Sequence, residues 1–370
     1  MAMDFLIVGA GINGLLLARE LANAEPGAEI LLLERGECCR EASWAGGGIV
    51  SPLYPWRYGA PVTALASWAQ AFYPQLAMEL LEHTGVDPEL EQTGLLMLDA
   101  EDESQALAWA ALNQRSMKKV RPEFFHRQEP GLAIGFTSGL WMPDIANVRN
   151  PRLGLALLAD LRSRSNVTVR EHSPVSEFET AEGQVTGVVA RSEGREERFR
   201  AGQVILCSGA WSGELAATLN LNLSVEPVKG QMLLYRFPRA PVNGIVLTGG
   251  RYLIPRRDGH LLVGSTLEYQ GFDKSPTPEA NLSLRESAGA MLPLLRSAEP
   301  VRQWAGLRPS APNGVPYIGK LTGYDNFYVN AGQFRNGLVL APASARLLAD
   351  ILLGREPIID PTPYQPVPAG

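Results

Sequence analysis

The chain has 370 residues, of which 45% are hydrophobic and 19% are charged, and this predicts a folded protein of about two to three domains. Its 33 basic and 39 acidic residues give a net charge of −6, which argues against binding to nucleic acid or to anionic membranes. Only three cysteines are present, Cys38, Cys39 and Cys207, which excludes a disulfide framework or a CxxC metal site and leads us to expect a cytoplasmic protein.

The first predicted elements are a strand, a glycine-rich turn and a helix. Residues 5–8 (FLIV) form a short apolar run typical of a buried parallel strand. The GxGxxG sequence of residues 9–14 (GAGING) follows at once. Residues 15–22 continue as an amphipathic helix, in which Arg19 and Glu20 are expected to face solvent.

Neither a signal peptide nor a transmembrane segment is expected. The opening run carries Asp4 early, lacks a basic start and has glycines in its middle, which favours a strand, turn and helix. No other stretch approaches the roughly 18 apolar residues that a membrane-spanning helix needs.

The spacing after the glycines predicts a dinucleotide-binding site. A second apolar strand ends at Glu34, 20 residues beyond Gly14, where a carboxylate accepts hydrogen bonds from a ribose. Gly9 permits the tight turn, Gly11 lets backbone amides approach a pyrophosphate, and Gly14 lets the helix pack closely. This motif leaves the choice between NAD and FAD open.

Later segments favour a flavin. A loop of small residues at 42–49 (ASWAGGGI) stands where a nicotinamide enzyme usually proceeds to another βα unit. A buried strand at 203–207 leads into Ser208 and Gly209, and another strand-glycine-helix junction precedes a helix predicted over 338–353. Between them, residues 225–236 alternate and precede short segments at 244–248, 252–255 and 260–266, which predicts an antiparallel sheet with a hairpin turn at 257–259.

Together these segments resemble the D-amino acid oxidase family of flavoproteins, and within it most closely the glycine oxidases. The resemblance covers nearly the whole chain, and its most specific segments are residues 225–231 (VEPVKGQ), 304–309 (WAGLRP), 316–319 (PYIG) and 334–342 (FRNGLVLAP). It implies an α/β protein, α+β overall. A Rossmann-like FAD-binding domain would comprise residues 1–85, 145–222 and 305–370, and a mainly antiparallel substrate domain residues 86–144 and 223–304.

The resemblance also implies the chemistry. A hydride would pass from the Cα of glycine, sarcosine or a small D-amino acid to N5 of a non-covalent FAD. Hydrolysis of the imine would give a 2-oxo acid and ammonia or amine, and oxygen would reoxidise the flavin to give hydrogen peroxide. No catalytic acid or base is then required, the four histidines show no metal-ligand spacing, and no metal is expected. In many glycine oxidases the product feeds thiamine-thiazole synthesis.

The resemblance assigns substrate-binding roles to Arg308, Tyr252 and Arg335, with Arg308 holding the substrate carboxylate through two parallel hydrogen bonds. Arg335 could contact either the flavin or the substrate. The motifs and the resemblance together predict these cofactor-binding residues: Gly9, Gly11, Ile12, Asn13, Gly14, Glu34, Arg35, Ser43, Ala45, Gly46, Gly47, Gly48, Val175, Ser208, Gly209, Trp211, Arg335, Asn336, Gly337 and Leu338.

Alternatives remain open at this point. A related dehydrogenase would pass electrons to a quinone, and residues 53–56 (LYPW) are a candidate exposed apolar patch for it. An FAD-binding protein without turnover and an NAD-dependent dehydrogenase are further alternatives. Leu267 and Gly250 depart from the glycine oxidase pattern, so the pocket volume is open, and a homo-oligomer is compatible with the sequence.

Overall fold

The computed structural model describes residues 3–192 and 194–366 of the chain. Its α-helices are α1 (Ile12–Ala24), α2 (Ala42–Ala45), α3 (Ala60–Thr84), α4 (Glu103–Leu112), α5 (Pro122–Gln128), α6 (Asn150–Arg162), α7 (Ser212–Ala217), α8 (Pro278–Met291) and α9 (Gly337–Leu352). Its strands are β1 (Met3–Val8), β2 (Ile30–Leu33), β3 (Glu91–Gln92), β4 (Leu95–Leu98), β5 (Lys118–Val120), β6 (Gly139–Met142), β7 (Ala146–Asn147), β8 (Val167–Arg170), β9 (Val175–Ala181), β10 (Gln184–Ser192), β11 (Arg195–Leu206), β12 (Glu226–Arg236), β13 (Ile245–Thr248), β14 (Arg251–Pro255), β15 (His260–Gly264), β16 (Arg302–Ser310), β17 (Tyr317–Lys320) and β18 (Phe327–Ala331).

The first sheet has the strand order β17-β18-β11-β1-β2-β8. The strands β18, β11, β1, β2 and β8 are mutually parallel, and β17 is antiparallel to β18. The residues of β1 from Phe5 and of β2 throughout are buried, as expected of strands that are covered on both faces. The hairpin β9-β10 extends from β11. The predicted Rossmann-like α/β fold is confirmed.

Helices α1, α3, α6 and α9 share one apolar core with the first sheet. Helix α1 begins directly after the glycine turn, and a Cβ at Gly14 would lie 2.0 Å from the Gly9 carbonyl oxygen. The approach of helix and turn is therefore as close as the sequence pattern predicts.

The expected exposure of Arg19 and Glu20 is wrong. Arg19 is only 2% exposed, because its Nη2 donates to Glu79 of α3 at 2.6 Å and its Nε lies 3.4 Å from Asp160 of α6. Glu20 is 13% exposed and lies beside Arg346 of α9. Helix α1 is thus covered on its polar side by neighbouring helices that supply counter-charges.

The second sheet has the order β16-β12-β15-β14-β13-β4-β6-β5, and it is antiparallel except where β13 runs parallel to β4. The predicted hairpin turn is confirmed, with Gly259 at φ +84° between β14 and β15. Strand β16 pairs with β12 from Arg302 to Ser310, so it runs past the domain boundary predicted at 305. The segment that carries Arg308 therefore belongs to the second sheet.

Residues 53–56 do not form an exposed apolar patch. Leu53 is 9% exposed, and Trp56 donates its Nε1 hydrogen to Asp102 at 2.6 Å. Among residues 3–192 and 194–366, no helix is both long and apolar enough to cross a bilayer.

Candidate active site

A cavity of about 440 Å³ lies between the two sheets. Residues at or just beyond the carboxyl ends of β1, β2, β11 and β18 form one side, and residues of β14 and β16 form the other. The carboxyl end of a parallel sheet is where ligands bind in open α/β folds. The second sheet adds Tyr252 and Arg308 to the walls.

The glycine turn forms one end of the cavity. Gly9 has φ +104°, and a Cβ there would lie 2.5 Å from the Cys207 carbonyl oxygen, so only glycine fits. Gly11 is the N-cap of α1, and the Ile12 amide donates to Ser43 Oγ at 2.9 Å. Gly11, Ile12 and Asn13 line the cavity, so the positive end of α1 faces it, as a phosphate requires.

Glu34 is held rigidly beside this turn. Its Oε2 accepts from the Ala10 amide at 2.9 Å and its Oε1 accepts from the Gly36 amide at 3.0 Å. A carboxylate oxygen accepts more than one hydrogen bond, so each oxygen keeps capacity for a ribose hydroxyl. The next residue, Arg35, lies with its Cζ 3.4 Å from the centre of the Trp211 ring, and both line the cavity.

The segment Gly46–Gly48 passes between the two sheets. A Cβ at Gly47 would lie 2.8 Å from Ile254 Cδ1 and 3.2 Å from Tyr252 Cε2. Gly48 has φ +82°, and a Cβ there would lie 2.0 Å from the Val148 carbonyl oxygen. The sequence predicted that small residues here let the backbone approach a flat ligand. The neighbouring atoms leave no room for a Cβ at Gly47 or Gly48, so the packing itself requires glycine at both positions.

The start of α9 also faces the cavity. Asn336 is its N-cap and makes no side-chain capping hydrogen bond, so its side chain does not occupy the first amides of the helix. Phe334 has φ +49°, an uncommon conformation for a residue other than glycine. Gly337 and Leu338 line the wall, and the Leu338 carbonyl accepts from the Tyr73 hydroxyl at 2.6 Å.

Arg308 is held in the wall by neutral acceptors. Its Nη2 donates to Ser265 Oγ at 2.8 Å, and its Nη1 donates to the carbonyls of Thr266 at 3.2 Å and Lys229 at 3.4 Å. It makes no ion pair with any carboxylate in the described part of the chain. Burial lowers the pKa of Arg308, Tyr252 opposes this shift, and the charge of nearby Arg335 adds to it. An anion that binds in this cavity would offset the cost of burying the positive charge of Arg308 beside Arg335.

Tyr252 and Arg335 complete this end of the cavity. Tyr252 is 6% exposed, and its hydroxyl donates to Met232 Sδ at 3.3 Å. Arg335 lines the same cavity and forms no ion pair with the described acidic residues. The structure thus brings all three predicted substrate-binding side chains into one cavity.

The predicted cofactor-binding residues line the same cavity, with two exceptions. Gly14 lies behind the turn, where it only packs. Ala45 also lies outside the wall: its carbonyl accepts from Trp304 Nε1 at 3.0 Å, and its methyl packs on Gly306. A direct cofactor contact for Ala45 is not supported, because its short helix α2 turns it toward β16.

Sequence reasoning missed several wall residues. Asn150 donates from Nδ2 to the Ser43 carbonyl at 2.9 Å, and the Ser173 amide donates to the Glu34 carbonyl at 2.7 Å. Ser173 follows the end of the parallel strand β8, a topological signal that could have identified it. Further wall residues not predicted include Ser51, Leu53, Pro174, Ser265 and Gln333.

The walls fit an extended dinucleotide. The wall contains the glycine backbone and the N-terminus of α1, the Glu34 carboxylate beside them, and the start of α9. Buried polar atoms without a hydrogen-bond partner belong to four wall residues: Asn13 Oδ1, Asn150 Oδ1, Gln333 Oε1 and Asn336 Nδ2. Such atoms are rare in folded proteins, and a polar ligand in this cavity would supply partners.

Comparison with known proteins agrees with this geometry. Residues 4–351 match the sequence pattern of the family described as DAO, FAD dependent oxidoreductase. The chain belongs to the DAO family. This DAO protein is 54% identical over 366 residues to the glycine oxidase of Pseudomonas aeruginosa, covering 99% of each chain. It is 30% identical to the bifunctional protein ThiO/ThiG of Synechocystis, covering 95% of this chain and 52% of that protein.

A solved structure shows the same fold. The crystal structure of glycine oxidase from Geobacillus kaustophilus matches with a TM-score of 0.90 at 29% identity, covering 98% of both chains. The DAO protein is therefore an FAD-dependent oxidoreductase, and the prediction of FAD from the sequence is confirmed. The NAD-dependent alternative is wrong.

We expect acid precipitation of the DAO protein to release all of its yellow colour into the supernatant. Cys207 is the cysteine that lines the described cavity wall, and burial raises the pKa of its thiol, which disfavours the thiolate needed for covalent attachment. Absorbance of supernatant and pellet measures the outcome. Cys207→Ser is the control and should release its flavin equally. Flavin fluorescence that stays with the denatured polypeptide would contradict a non-covalent cofactor.

Proposed function

We propose that this DAO protein oxidises glycine or a similarly small amino acid, such as sarcosine or a small D-amino acid. The products would be a 2-oxo acid, ammonia or amine, and hydrogen peroxide. The observation that carries this proposal is Arg308, a cavity-lining guanidinium whose described partners are all neutral. A planar guanidinium with free donor capacity matches a substrate carboxylate.

The apolar residues that cluster with Tyr252 support a small substrate. Ile49 and Leu53 line the cavity and pack in the same apolar cluster as Tyr252. These side chains restrict the space available to a substrate side chain, which favours glycine. The Tyr252 hydroxyl adds a polar group to this wall.

The charge distribution supports oxidation at Cα without a side-chain base. The acidic residues in the described cavity wall are Glu34, Glu41 and Glu214. Glu34 is bound to the backbone amides of Ala10 and Gly36, Glu41 pairs with Arg35 at 2.6 Å, and Glu214 lies in α7. Because the second sheet contributes no carboxylate to this described wall that would stabilise an ammonium, the neutral amine is favoured. Bound FAD supplies the two-electron acceptor for the Cα hydride and returns the electrons to oxygen.

The wider context follows from the same proposal. We retain the division into an FAD-binding and a substrate domain, with the last boundary moved beyond Ser310 because β16 pairs with β12 to that residue.

Relatives named glycine oxidase and bifunctional protein ThiO/ThiG support glycine as substrate and a role in thiamine-thiazole synthesis. A cytoplasmic location, supported by three free cysteines, and a homo-oligomer stay predictions.

An amine panel tests the proposed function. Purified protein in air should release hydrogen peroxide with glycine, and glyoxylate should form in equal amount. Sarcosine and D-alanine test the breadth of the pocket, and methylamine, which lacks the carboxylate, should give no turnover above background. Equal turnover of methylamine and glycine would contradict a carboxylate-binding site.

Oxygen as the electron acceptor has its own test. We expect flavin reduced anaerobically by glycine to reoxidise promptly when air is admitted, with peroxide formed in proportion. An artificial acceptor, measured in parallel, serves as the control for flavin competence. Persistence of the reduced spectrum under oxygen, with turnover only on the artificial acceptor, would instead identify a dehydrogenase.

A further inference from the structure

Arg256 is a buried cation without an acidic partner. Its exposed fraction is 7%, and it forms no ion pair with any described carboxylate. The acidic residues that act electrostatically on Arg256 are Glu89 and Asp258. Both already pair with Arg149, whose Nη1 lies 3.2 Å from Glu89 Oε2 and 2.8 Å from Asp258 Oδ2. Burying a charge without compensation is costly, so an arrangement of this kind needs a reason beyond packing.

The guanidinium of Arg256 ties together two segments beside the cavity. Its Nη2 donates to the Gly47 carbonyl at 2.8 Å, and its Nη1 donates to Asn147 Oδ1 at 2.5 Å and to the Val148 carbonyl at 3.1 Å. The Val148 amide in turn donates to the Gly48 carbonyl at 2.8 Å. Arg256 therefore fixes the backbone of Gly46–Gly48 against the neighbouring strand β7 and Val148.

This fixed segment is part of the site. Gly46, Gly47 and Gly48 line the cavity, and Gly47 also approaches Tyr252 and Ile254 of the second sheet. The segment thus lies toward the substrate side of the cavity, where the redox ring of FAD must meet the substrate. Arg256 stands one peptide group behind that wall.

We propose that Arg256 is a positioning residue for the flavin ring: it holds Gly46–Gly48 in the backbone conformation that receives the ring, and its uncompensated charge favours the reduced, anionic ring. The inference rests on the proposed function only in that the flavin undergoes reduction. Backbone and amide oxygens satisfy its hydrogen bonds but leave its charge in place. Burial lowers the pKa of Arg256 to about 10, so it stays charged at neutral pH.

The test separates charge from hydrogen-bond geometry. Arg256→Gln removes the charge, and Arg256→Lys keeps a charge but cannot reproduce the three hydrogen bonds. The matched control is Arg257→Gln, because Arg257 is the next residue, is 47% exposed and pairs with Asp87 and Glu91 on the surface. For each variant we would measure the FAD dissociation constant of the apoprotein, the flavin midpoint potential and the apoprotein Tm.

We expect Arg256→Gln to shift the oxidised-to-reduced flavin ratio about tenfold toward the oxidised form, which is about 30 mV for a two-electron couple. Arg256→Lys should keep the potential near that of wild type and weaken FAD binding by about tenfold. Arg257→Gln should change neither property.

Two results would overturn the inference. One is a potential in Arg256→Gln equal to that of Arg257→Gln, and the other is unchanged FAD affinity in Arg256→Lys. If Arg256→Gln does not fold, the affinity of Arg256→Lys still decides whether Arg256 positions the segment. Wild-type protein that binds FAD but oxidises no amino acid would contradict the proposed function alone, because dithionite reduction still allows the potentials to be compared.

Discussion

Arg308→Ala is expected to lower kcat/KM for amino acids by about 30-fold to several thousand-fold while leaving FAD bound. Removing one partner of a desolvated charge pair costs ~2 to 5 kcal/mol, and each ~1.4 kcal/mol is a factor of ten. Arg308 lies in β16 of the second sheet, and its described hydrogen-bond partners are Ser265, Thr266 and Lys229. None of these four residues belongs to the glycine turn that is expected to hold the cofactor phosphates. Its loss should therefore affect the substrate and not the cofactor.

Steady-state kinetics with glycine and flavin content by absorbance check this prediction. Arg302→Ala is the matched control, since Arg302 is an exposed arginine of the same strand. Arg308→Lys should recover only part of the activity, because an ammonium cannot form two parallel bonds to a carboxylate. If Arg308→Ala retains wild-type kcat/KM for glycine, the clamp assignment fails and Arg335 becomes the leading candidate.

Gly230→Ala is expected to raise the KM for glycine strongly although residue 230 lies outside the described cavity wall. A Cβ at this position would lie 2.2 Å from both Nη1 and Nη2 of Arg308, so the guanidinium must move. The atoms displaced are the end of a flexible side chain, and the substitution should therefore cost little stability. Displacement of a binding group by about 1 Å can reduce turnover by about 100-fold, so we expect kcat/KM to fall by roughly 10- to 100-fold.

Measurements of kcat/KM, FAD content and Tm on Gly230→Ala distinguish displacement from unfolding. Gly27→Ala is the control, because no atom lies within 4 Å of a Cβ built there. Full activity in Gly230→Ala would show that the guanidinium need not occupy its observed place. A large loss of Tm in this variant would instead show that the glycine is required for folding.

The dinucleotide turn could be predicted from sequence because its requirements are local. Gly9 needs a positive φ, Gly14 needs close packing on the turn, and Glu34 lies at the end of the adjacent strand β2. These residues lie within one strand-turn-helix-strand unit, so their spacing carries the geometry. The turn at Gly259 is local in the same sense, and the antiparallel pairing of β12, β14 and β15 is as predicted. The alternation predicted for residues 225–236 is wrong, because consecutive residues of β12 from Val228 to Leu233 are all buried.

Arg308 and Tyr252 required the resemblance, since no local pattern distinguishes them from other arginines and tyrosines. The strand register of the second sheet explains why these two side chains lie close together. Arg308 stands opposite Val228 and beside Gly230, and Tyr252 stands opposite Gly264. A Cβ at Gly264 would lie 2.7 Å from the Tyr252 ring, so this glycine leaves room for the tyrosine.

Other features were decided only by tertiary structure. Arg19 looked like a solvent-facing residue of α1, but α3 and α6 cover it with carboxylates. Ala45 looked like part of the glycine loop, but α2 turns it toward Trp304. Arg256 lies 209 residues from Gly47 in the chain and donates to its carbonyl. Sequence periodicity and turn chemistry specify which way a residue faces within its own element, whereas a buried charge is stabilised by partners that distant elements bring to it.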